Sequence, residues 1–244
     1  MKHLKEQNLL DNLTRLKNEK LINKELYKEL KEIYTKQYLP DENSYFYQIM
    51  VNKEIESNYI RSIYNSLISW LFIDKELIEE IKTVFKKLNI KSSLEIFAGT
   101  GIFSFYLNKY CNISVKAYTK KWENDFYFSD KNLIFSFLNK KGIIKEVEQH
   151  TEFYDLEKKE KNEYDVLIAN WIPYLLKDAE KVITNLPVGK YLLVTTEGED
   201  GCIANNKFHK MIEDLELVYI FRNLKSFPGI HDRMYLYRNN KKKN

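Results

Sequence analysis

Glu95 stands just ahead of a turn of small residues, Ala98-Gly99-Thr100-Gly101, and glycines at 99 and 101 free the backbone to turn left-handed and to approach a bound molecule closely. Ser93 to Phe97 reads as a short strand carrying one acid, and the apolar residues Ile102, Phe105 and Tyr106 behind the turn fall at helical spacing. The helix start would present free backbone N–H groups. The carboxylate beside them argues against phosphate and for a cationic or hydroxyl-bearing guest. Two further stretches carry groups suited to chemistry. Tyr164 to Ala169 is a near-continuous apolar run, as expected of a strand buried on both faces, and it ends in Asn170-Trp171-Ile172-Pro173-Tyr174. Glu197 opens Glu197-Gly198-Glu199-Asp200-Gly201-Cys202, where its carboxylate can serve as a base or simply cap its own loop.

These residues need a scaffold that brings strand ends together. Strands are expected over 93–97, 113–118, 143–147, 164–170, 191–196, 217–221 and 234–237, with helices between them, including 133–138 and 206–215. Ligands of open α/β sheets bind beyond the carboxyl ends of the strands, where all three stretches would fall. Upstream, Asp74 is placed to cap a helix running to Leu88, with Ile73 and Ile78 as its hydrophobic staple. Residues 1 to about 40 repeat leucine and isoleucine at helical spacing among Lys and Glu and read as two amphipathic helices, and Pro40 ends that pattern. The aromatic-rich stretch from Tyr45 to Trp70 reads as core, with the alternative of walling the mouth of a site. The expected divisions are a helical region over 1–88, an α/β domain over 89–240 and a basic tail over 241–244.

Leu94-Glu95-Ile96-Phe97-Ala98-Gly99-Thr100-Gly101 resembles the first motif of class I S-adenosylmethionine-dependent methyltransferases, with Phe97 where many members have a further glycine. The resemblance implies a mostly parallel, doubly wound, seven-stranded sheet with an antiparallel C-terminal strand pair and an N-terminal helical extension. It implies S-adenosyl-L-methionine as cofactor, held by Glu95, Phe97, Ala98, Gly99, Thr100 and Gly101. Tyr118 and Thr119 would lie at the ribose, where members usually have an acid, and Glu148 at the adenine. Asn170-Trp171-Ile172-Pro173-Tyr174 is similar to the N-P-P-Y loop of members that act on amino nitrogen. By that likeness Asn170 and Tyr174 serve catalysis, Asn170 also touches the cofactor, and Trp171, Pro173 and Tyr174 shape the acceptor site, to which Glu197 is added as a candidate catalytic base and Trp70 as a candidate wall. Trp70, this loop and the Glu197 turn together loosely resemble a little-characterised branch of the superfamily, over roughly residues 60 to 238.

Composition narrows the classes. An apolar fraction of 44% is that of a globular chain, and a formal charge of +4 over 244 residues biases weakly toward acidic partners. Two distant cysteines and four scattered histidines give no disulfide framework and no metal-ligand spacing. No apolar run reaches the roughly 18 residues of a membrane span, and the first residues lack an apolar leader core, so a soluble, cytoplasmic protein without a membrane partner is expected. Three functional expectations stand. One is a methyltransferase acting on a nitrogen of a planar or amino-bearing acceptor, which can be a small molecule, a protein side chain or a nucleobase. The second is a catalytically degenerate binding protein that docks partners, including further copies of itself, through its helical arm. The third is an RNA-modifying enzyme guided by the N-terminal lysines, the one expectation that brings in a nucleic-acid partner.

Overall fold

The computed structural model describes residues 13–36, 38–52, 60–61, 64–65, 68–99, 101–118, 163–172, 176, 179–197, 201, 203–227 and 229–240. Among the described residues, helices α1 (Lys24–Lys36), α2 (Tyr45–Val51) and α3 (Lys75–Lys87) precede the sheet, along with shorter helical pieces such as residues 13–18. The sheet and its helices follow as β1 (Ser92–Ile96), α4 (Ile102–Cys111), β2 (Ser114–Ala117), β3 (Val166–Asn170), α5 (Lys181–Thr184), β4 (Tyr191–Thr196), α6 (Asn206–Ile212), β5 (Glu216–Phe221) and β6 (Arg233–Arg238). The strand order is β2-β1-β3-β4-β6-β5. The first four strands run parallel, and β6 is antiparallel to both β4 and β5. This is the parallel body and antiparallel closing pair expected from the sequence, with six strands among the described residues where seven are expected. The expected strand over 143–147 and helix over 133–138 lie outside those residues.

Alternation along the strands divides the core into two layers, because successive side chains point to opposite faces. Leu94, Ile96, Leu167, Ala169, Leu192 and Val194 meet Val182, Ile183, Phe208 and Ile212 on one face. Ile168 and Leu193 belong to the other layer, with Leu26, Leu30, Ile33, Phe46, Ile81 and Phe85 from the preceding helices, Phe72 from the loop before α3 and Tyr106 from α4. The N-terminal helices therefore share one continuous apolar cluster with the sheet. Phe46 stacks on Tyr64 at 4.7 Å between ring centres, and Phe227 of the β5–β6 connection packs against both Tyr64 and Phe72.

Asp74 begins α3 as the sequence predicts. Its Oδ1 accepts the Leu77 N–H at 2.8 Å, and the staple residues Ile73 and Ile78 are fully buried. The buried stripe of Leu77, Ile78, Ile81, Val84 and Phe85 then follows helical spacing. Asp74 also holds Lys225 of the β5–β6 connection at 3.0 Å, which sequence spacing does not reveal. Losing the cap costs about 1 kcal/mol and leaving a half-buried ammonium short of one partner costs more, so Asp74→Ala is expected to lower stability by about 3 kcal/mol. Asp74→Asn, which keeps the cap, should cost clearly less. Urea unfolding of both variants checks this, and equal losses would assign the effect to the Lys225 ion pair alone.

At the opposite, amino end of the strands, Asp165 accepts hydrogen bonds from Lys91 N–H, Ser92 N–H and the Ser92 hydroxyl at 2.9 to 3.0 Å, fixing β1 against the chain entering β3. No helix among the described residues is long and apolar enough to cross a membrane.

Candidate functional site

From β1 the sheet extends to β2 on one side and to β3 on the other. Such a reversal opens a crevice beyond the carboxyl ends of the two strands that flank it. β1 ends at Ile96, and the chain leaves it through a turn with positive φ at Phe97 (59°), Gly99 (55°) and Gly101 (76°). Gly101 is the left-handed N-cap residue of α4 and gives no side-chain cap. The Ala98 N–H donates to the Tyr118 carbonyl at 2.9 Å, and the Gly101 N–H donates to the Ala98 carbonyl at 2.7 Å. A side-chain carbon built on Gly99 would meet nothing within 4 Å, so the turn faces open space. Glycine is needed at 99 for its backbone angle, not for lack of room. Phe97 adopts a left-handed backbone that bulky residues rarely take, and its ring and that of Tyr118 pack on the layer formed with α5 and α6.

Glu95 and Asn170 lie on the other face of the sheet. Glu95 pairs in register with Ile168, so Asn170 is its diagonal neighbour on that face. Glu95 is 2% exposed and accepts a short hydrogen bond from the Ser104 hydroxyl, one turn into α4. Burial pushes its carboxyl up to about 7, opposed by the Ser104 hydroxyl and N–H and by the Asn170 amide. Asn170 accepts the Thr195 hydroxyl on Oδ1 at 2.8 Å. Its buried Nδ2 closes no hydrogen bond although the Glu95 carboxyl lies beside it. Ser104, Glu95, Asn170 and Thr195 thus form a polar row across an otherwise apolar layer.

Beyond β3, Trp171 turns left-handed (φ 50°) and its ring centre lies 5.5 Å from that of Trp70. Trp70 is 37% exposed. The expected acceptor residues Trp70 and Trp171 are therefore brought together from positions about a hundred residues apart. Glu197 follows β4. Its Oε1 accepts the His231 N–H at 3.3 Å. Gly201 packs so tightly on it that a Cβ there would lie 2.3 Å from Glu197 Cβ. Next to His231 is Asp232, 7% exposed, which no motif or spacing in the sequence singles out. Burial and the Glu197 charge push the Asp232 carboxyl up to about 7, against Arg61 and the Trp171 indole N–H. Thr100, Thr119, Glu148, Pro173 and Tyr174 lie outside the described residues.

Among the described residues no group of three or more His, Cys, Asp or Glu side chains is gathered to hold a metal ion. Among the described residues, surface hollows lie elsewhere, such as one of about 210 Å³ around Asp165 and Tyr191 at the amino ends of the strands and one of about 540 Å³ between α3 and β5.

No protein-family model matches the chain, and no curated protein matches it. Among solved structures it is similar to an S-adenosylmethionine-dependent methyltransferase from Clostridium acetobutylicum ATCC 824, at 12% identity over 75% of this chain and 99% of that one, with a TM-score of 0.48. It is also similar to the N-methyltransferase NodS from Bradyrhizobium japonicum WM9, at 15% identity over 69% of this chain and 99% of that one, with a TM-score of 0.41. PigF with SAH is similar at 12% identity over 88% of this chain and 69% of that one, with a TM-score of 0.44. At such identities no residue's role carries over, and each role rests on the geometry of this chain.

Proposed function

We propose that the chain is an S-adenosylmethionine-dependent methyltransferase that methylates a nitrogen. The observation carrying this reading is the pairing of Glu95 and Asn170 at the reversal of strand order, beside a left-handed glycine turn that faces open space. A nucleoside bearing an amino acid fits these residues. Its ammonium suits the buried Glu95 carboxyl, the unpartnered Asn170 Nδ2 can donate to an oxygen, and the turn at Gly99 leaves room for a ligand against the backbone. When bound, the cofactor supplies a sulfonium-activated methyl group, so the protein's work is mainly positioning. Glu95, Ala98, Gly99, Gly101 and Asn170 would seat the cofactor. Trp70 and Trp171 would wall the acceptor and exclude water, and Glu197 stands on the acceptor side as a proton-accepting group.

Calorimetric titration with S-adenosylmethionine and S-adenosylhomocysteine tests this reading. Saturable binding of both is expected, and no heat at millimolar cofactor would remove it. One observation favours a second reading, a methyltransferase-like protein that binds without catalysing. Glu95 already receives the hydroxyl and N–H of Ser104 and so serves the start of α4 with no ligand. Cofactor binding without methyl transfer to any amine would select that reading.

A further inference from the structure

Asp232 is the buried acid that the reading above leaves without work. Among the described residues neither of its buried carboxylate oxygens closes a hydrogen bond of good geometry, although the Trp171 indole N–H and the Arg61 guanidinium stand beside it. A carboxylate held this way costs several kcal/mol unless something donates to it. Its surroundings narrow the donor. Glu197 lies beside it, tied to the adjoining His231 N–H and wedged by Gly201. The indoles of Trp171 and Trp70 stand on the β3 side. Arg61, its guanidinium 6.0 Å from the Phe227 ring, is the one nearby cation among the described residues, so two carboxylates face one positive charge. An anionic guest would meet both carboxylates, and a neutral base bearing an amino group would offer hydrogen bonds without a compensating charge. An organic ammonium would satisfy the carboxylates and lie against the ring faces.

We propose that Asp232 and Glu197, walled by Trp70 and Trp171, form an ammonium-binding subsite and that the methyl acceptor is an alkyl amine. The acceptor part rests on the methyltransferase reading, whereas the ammonium site does not. Bound as an ammonium, the acceptor gives one proton to the Asp232 carboxylate. The freed nitrogen lone pair forms the N–C bond while the electron pair of the C–S bond stays with sulfur. The methylated product leaves as an ammonium, and the Asp232 proton passes to water.

The test uses the full chain without cofactor, titrated with phenethylamine and with its uncharged counterpart 2-phenylethanol and followed by tryptophan emission. The amine is expected to bind at least about tenfold more tightly, a gap of about 1.4 kcal/mol, with the response reduced in Trp70→Phe. Asp232→Asn should abolish the preference while leaving the weak binding of the alcohol. Glu197→Gln should reduce it, which keeps the test valid if Asp232→Asn fails to fold. Equal affinities for amine and alcohol overturn the proposal, as does a preference that survives both substitutions. A parallel titration with S-adenosylmethionine separates the two readings. Failure of the cofactor alone removes the methyltransferase and leaves the ammonium site standing, whereas failure of the amine preference alone removes only the site.

Discussion

Glu95→Gln is expected to weaken S-adenosylmethionine binding by about a hundredfold while leaving the protein as stable as before or more so. A charge-assisted hydrogen bond from a ligand ammonium to a buried carboxylate contributes about 2 to 3 kcal/mol, which sets that factor. Stability should move the other way, because the carboxylate is 2% exposed and burial already pushes its carboxyl up to about 7. Glutamine retains an acceptor for the Ser104 hydroxyl and carries no charge to desolvate. Glu95→Ala serves as the contrast. It strands Ser104 and opens a cavity between β1 and α4, and should cost about 2 kcal/mol of stability in addition to cofactor affinity. Calorimetric titration and thermal unfolding of both variants decide between a ligand carboxylate and a helix-capping one. If Glu95→Gln binds the cofactor within threefold of the parent protein, Glu95 only anchors α4, and the cofactor site in its present form is lost.

The contrast between Glu95 and Asp232 marks what the sequence displayed. Glu95 was legible because its partners in the argument are local: an apolar run, one acid and a glycine turn within nine residues. The Asp74 cap and its staple were legible for the same reason, and the structure has them as read. Strand existence followed from apolar runs. Strand limits moved by a residue or two, as at Phe97, which turns out of β1 with positive φ where an unbroken strand was expected. A Phe in a position where glycine is common carried that signal. Asp232 carried none. It sits between His231 and Arg233 in a connection without periodicity or motif. It reaches the site because β6 pairs antiparallel with β4, setting Arg233 opposite Thr196 and so Asp232 near Glu197. Likewise the Thr195 bond that orients Asn170 depends on β3 and β4 being neighbours, which follows from strand order and not from spacing along the chain.

Both buried acids also shape how stability should respond to pH. Burial raises the carboxyls of Glu95 and Asp232 to about 7, with Glu197 adding to the effect at Asp232. Between the ordinary carboxyl range and about pH 7, the folded protein keeps two protons that the unfolded chain gives up. Stability is therefore greatest below that window and falls as pH rises through it, by up to about 3 kcal/mol for Glu95 and about 4 kcal/mol for Asp232. Glu29 and Asp74, also raised by burial, act in the same direction. Asp165, which backbone and side-chain hydrogen bonds hold below the ordinary range despite its burial, has delivered its contribution before the window opens. The melting temperature of the cofactor-free protein should therefore fall from about pH 5 to about pH 8, opposite to the trend expected if paired surface carboxylates dominated. Glu95→Gln combined with Asp232→Asn should flatten most of that slope. A ligand ammonium that prefers ionised Glu95 must release the carboxyl proton on binding, so S-adenosylmethionine should raise the melting temperature more at the alkaline end than at the acidic end. A profile that is flat or rises with pH in the parent protein would mean that these carboxyls are ionised in the folded state without a ligand, and the polar row at the end of β1 and β3 would then be open to water.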